Sequence, residues 1–278
     1  MRTLWLAIAL TLATSAWAVD DEAKYRRLLV RDDALTEQME SLQSSASLLD
    51  RATLRAKLRR LEADYRFFLQ THPKHAEGFV AFGGFLYDQG RHDEAVQCWK
   101  KAIAADPRCA KAYNDLAAHY GHFGRAADAL RYHQKAFELD PLDPVYHFNW
   151  ATTCILFRKD AHQVYGWETD EIFRRSQAEF LKARDLAPQN TEYAQSYAET
   201  FYEVPKPGWQ AALDAWQFCL GQPLDEVSRQ RVYSQLARVY LRMARYDEAR
   251  TWLAKINAGE ILPLRRVLER KLPEASAR

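Results

Sequence analysis

The residues in this chain with the most evident chemical capacity are its histidines and cysteines. Six of the eight histidines fall between His92 and His162. His119 and His122 are spaced to share one helix face, an arrangement that can supply two metal ligands. A metal site needs three or four converging groups and further partners to orient them, so no metal is expected. The four cysteines, Cys98, Cys109, Cys154 and Cys219, are enough for two disulfides in an oxidising compartment. Cys98 and Cys109 are the one local pair, and whether they bridge stays open at this stage. No stretch has the pattern of a nucleotide-binding loop, a nucleophile elbow or a metalloprotease helix. The expectation is a non-enzyme with no cofactor.

The chain opens MRTLWLAIALTLATSAWAVDDE, with one Arg, an apolar run from Leu4 to Ala13, and small residues at Ala16 and Ala18. The run is too short to span a bilayer, and the pattern is that of a secretory signal peptide over residues 1–18, cut between Ala18 and Val19. The mature protein is therefore expected to be exported, periplasmic or extracellular, with no membrane span. Lys and Arg number 39 against 37 Asp and Glu, and removing residues 1–18 takes away one Arg and no acid. A balance so near neutral, without a basic cluster, argues against nucleic acid as a partner.

What must position any site is a set of amphipathic helices. Residues 19–32 are polar and charged and read as a flexible leader or a ragged helix start. Over residues 33–75, apolar residues at Leu35, Met39, Leu42, Ala46 and Leu49, then Leu54, Leu58, Leu61, Tyr65 and Phe68, alternate by threes and fours and predict two helices. The pair reads as a degenerate repeat that caps the units after it, and a coiled-coil hairpin that dimerises is the alternative. The clearest unit follows, FVAFGGFLYDQGRHDEAVQCWKKAIAADP from Phe79 to Pro107. Counted from Ala76, large residues stand at positions 4, 7 and 11 (Phe79, Phe82, Leu86) and small ones at 8, 20 and 27 (Gly83, Ala95, Ala102). Two helices approach closely only where small side chains face each other. Pro73, Pro107 and Pro141 recur at a fixed interval, and Tyr113, Leu116, Ala117, Tyr120, Gly124, Ala129 and Ala136 repeat the pattern.

This pattern resembles the tetratricopeptide repeat family, down to the Gly90 turn and the Asp93-Glu94-Ala95 helix start. The resemblance implies an all-α fold, a right-handed α-solenoid of helix-turn-helix repeats, with an array of about five repeats over residues 76–258. Residues 259–278 read as a capping helix and tail. A third repeat starts at Pro144 and carries an insertion within RKDAHQVYGWETDEIFRRS, a fourth starts at Thr191, and a fifth near Val227 has Ala244 in place of the turn glycine. On this frame Cys154, Cys219, His133 and His147 occupy core positions.

The resemblance also implies the work of the chain, which is to bind a protein or peptide as an interaction scaffold of the cell envelope. The groove positions of the family's first helices place Tyr87, Lys111, Asn114, Phe148, Glu199 and Tyr202 on the binding surface, followed by Arg231, Ser234, Arg238 and Arg242. The Lys, Asn and Arg set that grips chain-terminal carboxylates in some relatives is present only in scattered members. A second surface is expected where the insertion, with Tyr165 and Trp167, meets the next turn, with Pro205, Pro207 and Trp209. These aromatics form a binding platform or fold back into the core. A small-ligand or cell-wall-glycan binding protein using such aromatic loops is the rival reading.

Overall fold

A computed structural model describes residues 2–41, 47–204 and 207–273, with side chains from residue 20 onward apart from Leu48. Fourteen α-helices and one 3-10 turn occupy the described residues, with no strand among them. They are α1 (Arg2–Ser41), α2 (Leu48–Thr71), α3 (Ala76–Asp88), α4 (His92–Ala105), α5 (Ala110–His122), α6 (Ala126–Leu139), α7 (Pro144–Leu156), α8 (Arg158–Tyr165), α9 (Thr169–Leu186), α10 (Thr191–Glu199), α11 (Trp209–Leu220), α12 (Glu226–Arg242), α13 (Tyr246–Ala254) and α14 (Leu262–Glu269); the 3-10 turn is Thr200–Tyr202. The helices gather into two compact units, residues 1–119 and 120–278, divided within α5.

In the first unit α1 and α2 pack on each other and both touch α3. The side chains of residues 1–18, expected as a signal peptide, lie outside the described residues. Residues 20–32, expected as a flexible leader or a ragged helix start, are helical within α1, and Tyr25 and Leu28 are buried. The Tyr25 hydroxyl donates to the Glu77 carbonyl at 3.2 Å, and its ring lies 5.9 Å from Phe68. Tyr65, fully buried on α2, donates to Asp32 Oδ2 at 2.7 Å. Burial pushes the Asp32 carboxyl up to about 6 in spite of that bond. α2 begins with a reciprocal cap in which Ser47 and Asp50 satisfy each other's backbone N–H groups.

The α3 and α4 pair closes around Gly83. A Cβ at that position would meet Trp99 Nε1 at 2.4 Å, and the Trp99 indole donates to the Val80 carbonyl at 3.3 Å. Gly83→Ala gains about 1 kcal/mol of helix propensity. It also forces the buried indole aside, an overpacking cost of about 1–3 kcal/mol with the loss of a hydrogen bond worth about 1 more. The expected result is a net loss of about 1–3 kcal/mol, read from chemical denaturation. Pairing it with Trp99→Leu should recover part of that loss; no recovery would place the strain elsewhere.

The second unit packs α6 on α7, α7 on α9, and then each of α9 to α12 on the next, with α14 against both α12 and α13. Asp143, Asn190 and Asp225 cap α7, α10 and α12 through side-chain oxygens, and Pro144 sits in the first turn of α7. The insertion expected in the third repeat is ordered as α8, which ends on Gly166 in the left-handed conformation.

The missing turn glycine does not loosen the fifth repeat. Ala244 adopts φ 55°, beside 74° for Gly90 and 75° for Gly124. All three turns close with the same bond, from Arg91, Arg125 and Arg245 N–H to the carbonyls of Leu86, Tyr120 and Tyr240, at 3.0, 2.8 and 2.9 Å. Each of these arginines then pairs with an acid three residues on, Glu94, Asp128 and Glu248. A side chain in the left-handed region costs about 1–2 kcal/mol, and glycine gives back part of that through its freer unfolded chain. Ala244→Gly is therefore expected to stabilise the second unit by about 0.5–1 kcal/mol, measured as a rise in denaturation midpoint. A fall would show that Ala244 is held by contacts rather than strained.

Candidate functional site

The histidines and cysteines do not assemble a reactive centre. Among the described residues no three potential metal ligands converge. His133 is held neutral by burial, its pKa pushed down to about 4. His147 is buried in an ion pair, with Nδ1 2.6 Å from Glu179 Oε2 and Nε2 2.9 Å from the Pro141 carbonyl. All four cysteines are free thiols, so Cys98 and Cys109 are not bridged; Cys98, Cys154 and Cys219 are buried, and burial raises the Cys219 thiol to about 12.

The residues expected to bind a partner separate into different settings. Tyr87, Lys111 and Asn114 belong to the first unit. Tyr87 is half-buried, 4.4 Å from His92 and 5.5 Å from Trp99 between ring centres. Asn114 is buried and donates to Asp115 Oδ1 at 3.3 Å, while exposed Lys111 reaches the same carboxylate. Phe148, in the second unit, packs between Phe180 and Tyr193 at 5.5 and 4.8 Å.

Tyr165 folds back into the core of the second unit. Its hydroxyl accepts from Trp150 Nε1 and donates to the Leu130 carbonyl, both at 3.1 Å. Burial raises that hydroxyl well above its usual range. Trp167 stacks on Tyr165 at 4.3 Å and carries the Arg175 guanidinium on its other side, also 4.3 Å away. These two rings are thus spent on each other and on neighbouring helices. Pro205, part of the expected platform, lies outside the described residues.

Glu199, Tyr202 and Trp209 are brought together with the row of groove residues on α12. The Tyr202 and Trp209 rings are 6.0 Å apart. The Arg238 guanidinium lies 3.8 Å above the Tyr202 ring, and that of Arg242 lies 5.8 Å from Trp209. Tyr202 donates to the Gln235 carbonyl at 3.4 Å, and burial raises its hydroxyl to about 12. Alongside runs an open cavity of about 410 Å³ lined by Gln195, Glu199, Arg231, Gln235, Glu260 and Leu264, among others. A second depression of about 320 Å³ shares Gln195, Glu199 and Ser228 with it and adds Glu192 and Asp225. Burial raises the Glu199 carboxyl, and Arg238 partly offsets this. The side-chain oxygen of Gln235 is buried with no hydrogen-bond partner among the described residues.

Of the residues that sequence spacing named, Glu199 is on α10, Tyr202 in the 3-10 turn, and Arg231, Ser234, Arg238 and Arg242 on α12, whereas Ser228 and Gln235 of α12 were not named. The spacing also missed Glu260 and Leu264, which lie in and after the loop following α13 and reach the groove only through the packing of α14 on α12. No local signal marks them. The stacking of Arg238 on Tyr202 was also hidden, although the two residues stand at groove positions of successive repeats.

Residues 84–122 match the family described as TPR repeat, and residues 230–256 match the family described as tetratricopeptide repeat. The chain is 36% identical over 69 residues to Hsp70-Hsp90 organizing protein 1 of Glycine max, a stretch that covers 25% of this chain and 12% of that protein's length. Among solved structures, YrrB, described as a TPR protein with an unusual peptide-binding site, superposes with a TM-score of 0.59 at 15% identity, covering 74% of this chain and 97% of YrrB. PilF of Pseudomonas aeruginosa gives 0.58 at 13% identity over 90% of this chain and 99% of that one. PilW, described as a type IV pilus biogenesis factor, gives 0.54 at 15% identity over 87% of this chain and 98% of that one. The chain is accordingly an all-α tetratricopeptide-type solenoid in fold, two of whose segments match the repeat itself.

Proposed function

We propose that this chain is a non-catalytic interaction scaffold that takes an extended segment of a protein partner into the α10 and α12 groove of its second unit. The observation that carries this reading is the groove itself, an open cavity flanked by carboxylates, guanidiniums and aromatic faces rather than by groups arranged for chemistry. Binding surfaces of this kind combine a few aromatic or arginine anchors with a polar surround. The peptide-binding site described for YrrB supports the same use of the fold. The scaffold works in the cell envelope, after export and removal of residues 1–18. Among the described residues no helix is long and apolar enough to cross a membrane.

Site-specific photocrosslinking in the intact host tests both parts. A photoreactive residue at Gln195 should give a discrete protein adduct, while one at exposed Lys100 on α4 should not. N-terminal sequencing of the exported chain should begin at Val19. Equal adducts from the two positions, or none from Gln195, would remove the groove from consideration; an exported chain beginning at Met1 would remove the processing step.

A further inference from the structure

α14 closes the second unit with its two faces in different surroundings. Ile261 before it and Leu268 within it are buried with Ala237 of α12 and Leu253 of α13. Residues three and four apart share a helix face, so Pro263, Leu264 and Val267 form one strip. That strip points outward, with Leu264 42% and Val267 47% exposed. Arg266 and Arg270, again one turn apart, border it, and Lys271 follows in the closing turn. These three cations are exposed, and none has an ion pair among the described residues. Arg265 differs, since it is committed to Glu269 and to the Ile256 carbonyl, both at 2.8 Å. From Ile261 to Pro273 four cations stand against the single acid Glu269, in a chain that balances 39 against 37 overall. Arg250 of α13 brings a further cation to this end by donating to the Pro273 carbonyl at 2.8 Å. Glu260, the acid just before this span, lines the groove cavity.

We infer that the outward face of α14 rests on an anionic lipid surface, with Pro263 and Val267 entering among the headgroups and Arg266, Arg270 and Lys271 pairing with lipid phosphates. An apolar strip bordered by unpaired cations is what an interfacial helix needs: the apolar groups leave water, and each cation near an anionic leaflet adds attraction. The long arginine and lysine stems can lie along the strip while their charges stay at headgroup level. A protein partner anchored by a side chain would need a recess to receive it. Arg266, Val267 and Arg270 lie outside both groove cavities, so this contact is independent of peptide binding. It is a contact along the surface and not a span, and it leaves the α10 and α12 groove to the partner.

The test is titration of the full chain with vesicles of phosphatidylcholine and phosphatidylglycerol in equal parts, and with vesicles of phosphatidylcholine alone. Because the apolar run from Leu4 to Ala13 can itself enter lipid, the reporter is local: an environment-sensitive fluorescent amino acid at position 267. Its emission should shift to the blue on the anionic vesicles only, and the shift should weaken as salt rises. The same reporter at exposed Lys100 on α4 should stay unchanged. Arg266→Gln with Arg270→Gln should weaken the titration at least about tenfold, with a melting temperature near that of the parent. Arg266→Lys with Arg270→Lys keeps the charge and should titrate close to the parent, and it decides the matter if the first variant does not fold. A reporter at position 267 that does not shift, or shifts equally on phosphatidylcholine alone, would overturn the inference. So would a Gln double variant that titrates as the parent does, or a Lys double variant that loses the shift. An acidic peptide or a single-stranded oligonucleotide that displaces the vesicles at lower concentration than free phosphatidylglycerol vesicles do would assign the face to that polymer and overturn it as well.

Discussion

Glu179→Ala should cost the second unit about 3 kcal/mol, since removing one partner of a buried ion pair leaves the other charge without compensation. His147 is 3% exposed. Both of its ring nitrogens face acceptors, Glu179 and the Pro141 carbonyl, so the ring must be an imidazolium to donate to both. Burial works against this charge, yet the Glu179 hydrogen bond and the Pro141 carbonyl outweigh it and raise the His147 pKa. Glu179 is lowered: burial opposes its charge, and hydrogen bonds from His147 and Lys182 prevail. Lys182 is the further charge facing the pair, 2.9 Å from Glu179 Oε1.

The sign of the pH dependence follows from these directions. The raised His147 contributes stability that is complete below its unfolded value of about 6.5 and is lost as pH rises through the folded value. The lowered Glu179 contributes above its unfolded value of about 4.3–4.5 and loses that contribution as pH falls through the folded value. The advantage of the parent over Glu179→Ala should therefore be greatest between about pH 4.5 and 6.5 and shrink by pH 8. Urea melts across that range measure it. A difference independent of pH would mean that Glu179 acts through packing alone. His147→Phe with Glu179→Met, which replaces the pair by apolar groups, should recover most of the loss.

Tyr165→Ala should be comparably damaging, at about 3 kcal/mol, because it removes a large ring from the cluster of Trp150, Ile172 and Phe180 and leaves the Trp150 indole N–H without its partner. Tyr165→Phe separates the two effects. It keeps the ring and should cost about 1–2 kcal/mol for the orphaned Trp150 N–H. A Tyr165→Ala chain that melted with the parent would return this ring to the surface as a contact for partners.

The extent to which these features were legible in sequence follows from where their determinants lie. Gly83, Ala95 and Ala102 fix how closely α3 and α4 pack, and the prolines fix where helices end. Both are local requirements, so the repeat frame is readable residue by residue. Residues 20–32 misled because Tyr25 and Leu28 are apolar islands among charges; the faces of α2 and α3 that bury them are contributed by distant sequence. RKDAHQVY likewise shows nothing as an isolated insertion, yet as α8 it packs Ala161 at 0% exposure. At the groove, Glu199, Arg231 and Ser234 stand at positions read from the repeat frame, whereas Glu260 depends on how the chain returns after α13.

The unbroken course of α1 from Arg2 to Ser41 has a consequence for processing. A cut after Ala18 divides a helix in its interior, and the fragment that remains begins Val19-Asp20-Asp21-Glu22. Three carboxylates then occupy the first turn, where the exposed amide dipoles favour negative charge. Lys24 is already paired with Asp20, and His72 of α2 with Asp21. The new helix end is thus furnished in advance with the charges that such an end prefers, and the contacts from Asp21 and Tyr25 to the rest of the first unit lie on the retained side of the cut. The processing proposed above would exchange one helix origin for another and leave these contacts in place.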